Sequence, residues 1–241
     1  MIKQLINRLL YSHTYSSEAY IRYLRKNGAV IGKNTRFVSP KQCRVDSGRM
    51  DHISIGDNCC IVSSNLIAHD YSWYVLIDKY ERIIPDAGDT IQIGNNVFLG
   101  LNTTVLKGVT IGDNVIVGAN SLVNKDLESN SIYAGNPIKK ICTLEEYYQK
   151  REKQRLQEAF KKIGFYKYKY NRNPTIKEMN FFSFLWLKRT KENYEQYIKP
   201  LKYNGISNHP KIKNIFFNSK PEYESFESLL IDFNLQKEEE I

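Results

Sequence analysis

Aliphatic side chains recur every sixth residue at Ile93, Leu99, Val105, Ile111, Val117 and Val123. An earlier register runs Ile31, Phe37, Cys43 and then Ile55, Ile61, Ile67, broken at Arg49. Glycine follows the aliphatic residue in IGKNTR, IGDNCC, IGNNVF, LGLNTT, IGDNVI and VGANSL. A small or β-branched residue stands four positions after it at Thr35, Cys59, Val97, Thr103, Val109, Val115 and Ser121. A period of six matches neither the helical repeat nor simple strand alternation. It fits short strands joined by tight corners, with one inward side chain per hexad and Gly or Asn where φ turns positive. Three hexads then close a triangular turn of about 18 residues, and about five stacked turns stand roughly 24 Å tall. One turn cannot bury its own apolar face, so such a chain is held together by stacking.

The period breaks once, between Ile67 and Ile93. The intervening AHDYSWYVLIDKYERIIPDAGDT is too long for a corner and reads as a loop, about residues 68–92, of the kind that carries function. Residues 1–27 read as an N-terminal helical cap. Ile2, Leu5, Ile6, Leu9 and Leu10 form an amphipathic stripe, and Ala19, Tyr20, Tyr23 and Leu24 suggest a second helix. Lys3 and Arg8 leave docking on a membrane surface as an alternative role for the first helix. Residues 28–141 form the repeat domain, and residues 142–241 a helical extension. There Thr143–Leu144–Glu145–Glu146 opens a helix to about Ile163, and Thr175–Ile176–Lys177–Glu178 opens another that carries Phe181, Phe182, Leu185 and Trp186. A third helix is expected near Glu222–Asn234.

The net charge of +9, from 35 basic and 26 acidic residues, favours anionic partners. The excess is spread evenly, with 16 basic and 12 acidic residues in 1–141 and 19 and 14 in 142–241, so no nucleic-acid-binding stripe emerges. Four cysteines without a CxxC pair read as reduced thiols of a cytoplasmic protein. No apolar run is long enough to span a membrane, and no apolar h-region marks a signal peptide.

The hexads, the His69–Asp70 loop, KGVTIGDNVIVGANSLVNKD and AGNPIKKI together resemble the hexapeptide-repeat acyltransferases, most closely the branch of galactoside, maltose, xenobiotic and polysaccharide O-acetyltransferases. The resemblance covers about residues 28–141 and is most specific from Ile93 to Ile141. It implies an all-β, left-handed parallel β-helix prism, against the usual right-handed rule for parallel crossovers. It also implies acetyl-CoA as co-substrate, no metal, and a homotrimer whose active sites lie in clefts between neighbouring subunits. Contact with the inner face of the membrane, through the helix carrying Lys3 and Arg8, is expected to be peripheral at most.

Acetyl transfer from a thioester to a hydroxyl needs a base for the attacking oxygen, a donor for the oxyanion, and positioning of both substrates. The resemblance makes His69 the base. No Ser or Cys sits in a nucleophile motif, so direct transfer is expected. Asp70 orients the loop or the imidazole, or else caps a corner. Phe98 stands where some polysaccharide-modifying relatives carry Trp. Leu101 and Ala119 match positions whose backbone contacts the pantetheine arm. Asn124 and Lys125 match a Thr–Lys pair near the adenine end, and Lys139, beside Lys140, matches a residue that reaches the phosphates. Asp46, Asn65 and Trp73 are acceptor candidates, each with a corner or packing role as alternative. The basic aromatic run of residues 165–170 reads as a surface segment or amphipathic strand, or as a contact for an acidic glycan.

The reading is an acetyl-CoA-dependent O-acetyltransferase acting on a sugar or polysaccharide hydroxyl of a surface glycan. N-acetylation of an amino sugar nucleotide or a small xenobiotic is the alternative, and a non-catalytic scaffold is a remote one. A γ-type carbonic anhydrase shares the prism but needs three zinc-binding histidines, and only His52 and His69 lie in the repeats.

Overall fold

A computed structural model describes residues 12–86, 88–203 and 209–239, and the chain divides into two compact units, residues 1–147 and 148–241. The amphipathic stripe from Ile2 to Leu10 lies outside the described residues.

The first unit is a wound stack of very short strands. They are β1 (Val30–Ile31), β2 (Arg36–Val38), β3 (Arg44–Val45), β4 (Ile53–Ile55), β5 (Cys60–Val62), β6 (Asn65–Ile67), β7 (Ile91–Ile93), β8 (Phe98–Leu99), β9 (Thr104–Leu106), β10 (Thr110–Ile111), β11 (Val115–Val117), β12 (Leu122–Val123), β13 (Ser131–Ala134) and β14 (Lys139–Thr143). Three parallel sheets result, ordered β1-β4-β7-β10, β2-β5-β8-β11-β13 and β3-β6-β9-β12, with β14 added antiparallel to β13. From β1 to β12 the chain visits the three sheets in rotation. Strands of two or three residues leave room for one or two inward side chains each, and these form one column of apolar residues running from Ile31 and Phe37 to Val123.

The later turns keep the expected register. Ile93, Leu99, Val105, Ile111, Val117 and Val123 are all buried, and Gln92 pairs with Thr110 and Phe98 with Ile116. The earlier turns correct the sequence reading. Leu66 rather than Ile67 points inward, and a second excursion, through the short 3-10 turn Met50–His52, separates β3 from β4. Val30 therefore pairs with Ser54, and Arg44 with Asn65.

The corners divide their labour. Asn34, Asn58, Asn96, Asn114 and Asn130 take the left-handed backbone, at φ of 56–57°. Asn tolerates that region better than other residues with a side chain. Their amides also form a ladder, Asn96 Nδ2 donating to Asn114 Oδ1 (2.8 Å) and Asn114 Nδ2 to Asn130 Oδ1 (2.9 Å). The preceding glycine serves close approach instead: a Cβ on Gly56 would meet the Gly94 carbonyl oxygen at 2.7 Å.

Helix α1 (Ser17–Lys26) starts at Ser16, whose Oγ accepts from the Ala19 amide. It buries Ala19, Tyr20, Ile21 and Leu24 against the first turn. Arg25 donates to the carbonyls of Ile31 (2.6 Å) and Gly32 (3.1 Å), which satisfies an otherwise open sheet edge. Between β6 and β7 the expected loop is thrown out, containing α2 (Tyr74–Tyr80).

In the C-terminal part the Thr143–Glu146 capping box closes as expected, each backbone amide accepted by the other side chain. It opens α3 (Leu144–Tyr170), which runs a further two turns beyond Ile163 and takes in residues 165–170; that segment is helix, not strand. The Thr175–Glu178 box also closes, but a 3-10 turn, Asn180–Leu185, succeeds it in place of an α-helix. Then come α4 (Lys191–Tyr203), α5 (Ile212–Asn218) and α6 (Phe226–Glu239). Ile163, Met179, Trp186, Leu229 and Phe233 form the second unit's core. Among the described residues no helix is long and apolar enough to cross a membrane.

Candidate active site

His69 follows β6 at the root of the large loop, where the Ala68 backbone is still tied to the stack through the Asp89 amide. Its Nδ1 is paired with the Asp46 carboxylate. Asp46 comes from the end of β3, where the first excursion begins. The same carboxylate accepts from the Ala68 amide (3.1 Å) and the Gly48 amide (3.2 Å). The Asp46 side chain is only 4% exposed and that of His69 is 28% exposed. A carboxylate accepts only, so the imidazole proton facing it sits on Nδ1 and the lone pair on Nε2. The buried carboxylate fixes the imidazole through Nδ1 and leaves Nε2 without a hydrogen-bond partner among the described residues. Tyr71 leans over the imidazole at 4.3 Å between ring centroids.

Asp70 serves elsewhere. Its carboxylate accepts from the Ser72 amide (2.7 Å), and these contacts hold its carboxyl below the usual range. Of its two expected roles the carboxylate takes the turn-capping one, and the carboxylate that meets the imidazole is that of Asp46. The loop is closed by Asp86. Its carboxylate accepts from the Asp70 amide (3.1 Å), the Gly88 amide (2.7 Å) and Lys107, while Arg49 donates to its carbonyl (3.1 Å). The residue after the imidazole is thereby tied to the far end of the loop. A Cβ on Gly88 would strike the Ala68 carbonyl oxygen at 2.4 Å, so the chain returns here only through glycine.

His69, Asp46 and Asn65 line one cleft of about 600 Å³. His13, Tyr20 and Tyr23 supply an aromatic wall, which sequence reading did not single out. Trp73 does not line it; it stands half-buried at the start of α2. The five donor-side candidates also lie away from this cleft. Leu101 and Ala119 are exposed at successive corners of the stack, linked through the Asn120 amide and the Leu101 carbonyl (2.8 Å). Asn124, Lys125 and Lys139 are exposed, while Lys140 is engaged with Glu128 (2.8 Å). Among the described residues no group of three or more His, Cys, Asp or Glu side chains is placed to hold a metal ion.

The family model described as the hexapeptide repeat of succinyl-transferase matches residues 90–125. Protein CapG of Staphylococcus aureus is 45% identical over 128 residues, which is 53% of this chain and 73% of CapG. A probable macrolide acetyltransferase of Lysinibacillus sphaericus is 53% identical over 67 residues, 28% of this chain and 36% of that protein. A solved galactoside acetyltransferase in complex with coenzyme A aligns at 26% identity and a TM-score of 0.43, covering 59% of this chain and 80% of that one. With its hexads in register and CapG matched over most of CapG's length, the chain belongs to the hexapeptide-repeat acetyltransferases, a family of acyl-transferring enzymes.

Proposed function

We propose that this chain is an acetyl-CoA-dependent O-acetyltransferase that modifies a sugar or polysaccharide hydroxyl by direct transfer, with His69 as base and Asp46 as its orienting carboxylate. The observation that carries the reading is the buried Asp46 carboxylate set against Nδ1 of a half-exposed imidazole at the mouth of a cleft.

Acetyl-CoA supplies the activated acetyl group as a thioester. In this reading the acceptor hydroxyl donates to Nε2 of His69, which takes its proton as the oxygen attacks. Asp46 stabilises the imidazolium that forms, and Nε2 then returns the proton to the departing thiolate. The donor side fits the residues present. Leu101 and Ala119 offer an exposed double corner along which a pantetheine arm can lie. Lys139 and Lys125 supply cations for phosphates.

We take the fold as a left-handed prism assembled into a homotrimer. Two features support shared sites. The donor-side residues do not line the His69 cleft, so a neighbouring copy has to supply them. The loop also exposes Tyr71, Tyr74, Val75, Tyr80 and Ile83, an apolar surface of the kind covered by a partner. The reading places the enzyme in the cytoplasm, where free thiols such as its four cysteines persist.

The test is release of free thiol from acetyl-CoA with a panel of neutral, acidic and amino glycosides as acceptors, the products identified by mass spectrometry. Ester formation by the wild type and its loss in His69→Ala are expected. Amide products alone, or undiminished transfer by a folded His69→Ala protein, would overturn the reading.

A further inference from the structure

The cleft beside His69 has a second wall that the proton-transfer chemistry does not use. His13 and Tyr23 stack with centroids 3.6 Å apart and planes 13° from parallel. Tyr20 lies parallel to both and is locked in place, its edge against Phe37 at 5.1 Å and its hydroxyl donating to the Cys43 carbonyl (3.4 Å). Burial pushes the Tyr20 hydroxyl up to about 12, so it stays a neutral donor. The result is a continuous aromatic surface anchored through Tyr20.

Facing it, Arg44 and Asn65 are register partners on β3 and β6, projecting from the outer face of the same sheet. Asn65 lines the cleft and donates its amide to Thr104 Oγ1 (3.2 Å), so its carbonyl oxygen keeps its accepting capacity. Asp46 is the only carboxylate among the described lining residues, and it is committed to His69 and two backbone amides. Arg44 lines the same cleft and makes no ion pair among the described residues. Asp46 is 4% exposed and turned to the imidazole and two backbone amides, so among the described lining residues Arg44 is the one Lys or Arg side chain that the cleft presents to a ligand.

Resting on the transfer reading above, we infer that this cleft is the acceptor subsite and that it selects a pyranose carrying an anionic group. A pyranose is amphipathic in the required way. Its axial C–H face is apolar and lies flat on aromatic rings, while its rim of hydroxyls needs acceptors and donors such as Asn65. A guanidinium presents a planar fork that matches a carboxylate or phosphate in two parallel hydrogen bonds, which an ammonium cannot do. Stacked on the His13–Tyr23 wall with its anion on Arg44, the sugar turns one hydroxyl toward Nε2 of His69. The cleft volume, within the usual range for small-molecule sites, accommodates one or two sugar units.

Binding is tested directly and without acetyl-CoA. The probes are methyl glycosides of glucuronic, galacturonic and mannuronic acid, the matching hexose 6-phosphates, and their neutral counterparts, read by saturation-transfer NMR on the full chain. Turnover with the same compounds is measured separately. The wild type is expected to bind at least one acidic pyranose tenfold or more tightly than its neutral partner. The uronide and phosphate arms identify which anion. Arg44→Gln should bring that ratio to near one, Arg44→Lys should keep part of it, and the surface control Arg22→Gln should keep all of it. Tyr23→Leu should weaken acidic and neutral sugars together. Equal binding of acidic and neutral sugars by the wild type, or a ratio unchanged in Arg44→Gln, would overturn the inference. Failure of acetyl transfer to every acceptor despite selective acidic-sugar binding would instead refute the transferase reading and leave the subsite standing.

Discussion

Replacing Asp46 by Asn separates charge from geometry at the imidazole. The Asp46 oxygen that meets His69 Nδ1 also accepts from the Ala68 amide, while its other oxygen accepts from Gly48. An Asn carbonyl placed on the His69 side keeps two of these three bonds and the same imidazole tautomer. It gives up only the bond to the exposed Gly48 amide. What disappears is the negative charge, at a distance of roughly 4 Å from the centre of the ring. At an effective dielectric constant of about 20 that charge stabilises an imidazolium by about 4 kcal/mol, and by about 1 kcal/mol if water screens it fully. A carboxylate that is 4% exposed belongs near the first figure. At about 1.4 kcal/mol per decade, kcat should fall about 10²- to 10³-fold, with the KM for acetyl-CoA little changed. The assay is thiol release with a saturating acceptor. The decisive comparison is the double variant, because Asp46 acts through His69. In the His69→Ala background the Asp46→Asn change should cost no more than about twofold. Asp70→Asn, which touches only a turn, should stay within a few-fold of wild type. An equal loss from Asp46→Asn with and without the imidazole, or a loss in Asp70→Asn as large as in Asp46→Asn, would refute the argument.

Packing and charge set three further outcomes. Leu99 is completely buried in the central column, so Leu99→Ala should lower unfolding free energy by about 2–5 kcal/mol in urea titration. Gly56→Ala drives a Cβ to 2.7 Å from one backbone atom of the next turn and 2.8 Å from another, whereas Gly48→Ala meets nothing closer than 3.8 Å. Thermal melts should therefore show a marked loss for the first and almost none for the second. Lys107, and then the Gly88 amide, hold the Asp86 carboxyl below the usual carboxylate range. A lowered folded value means that its contribution is complete above the unfolded value near pH 4 and lost as pH falls through the folded one. Hydrogen exchange over residues 70–86 should stay slow from pH 7 to 5 and quicken only in stronger acid, whereas Asp86→Asn should be open at neutral pH. Protection persisting in that variant would show that other contacts close the loop.

Legibility in the sequence extended to whatever depends on local repetition. From Ile91 to Val123 the turns repeat every 18 residues, as in the pairing of Gln92 with Thr110 and Leu99 with Val117, so counting hexads finds the buried residue there; in the last turn the offset falls to 16, Val115 pairing with Ser131. Counting also fixed the capping boxes at Thr143 and Thr175, where both partners lie three residues apart. It could not set the kind of helix that a cap opens. Asn180–Leu185 stays a 3-10 turn because Leu185 and the Trp186 side chain are drawn into the second unit's core, a demand set by distant residues.

The candidate site shows the same division. His69 could be singled out because it opens the largest interruption of the period and the family resemblance puts the base in that loop. Its partner could not, because the two residues are 23 apart along the chain, a separation that no whole number of hexads gives. The offset arises from the excursion through Met50–His52 together with the step of five from Ile61 to Leu66. A period count does not size either irregularity: the break at Arg49 marks the first, yet Cys43 and Ile55 still differ by two hexads across it, and Ile67 keeps the hexad spacing across the second. Together they bring the end of β3 under the root of the loop. Asp70 attracts attention by sequence proximity, yet adjacent side chains on an extended segment point apart, and its carboxylate turns to the Ser72 amide as Asp does at the start of a turn. A residue that orients a base at a solenoid corner is therefore best sought one turn away in the stack, at the place where the repeat loses count.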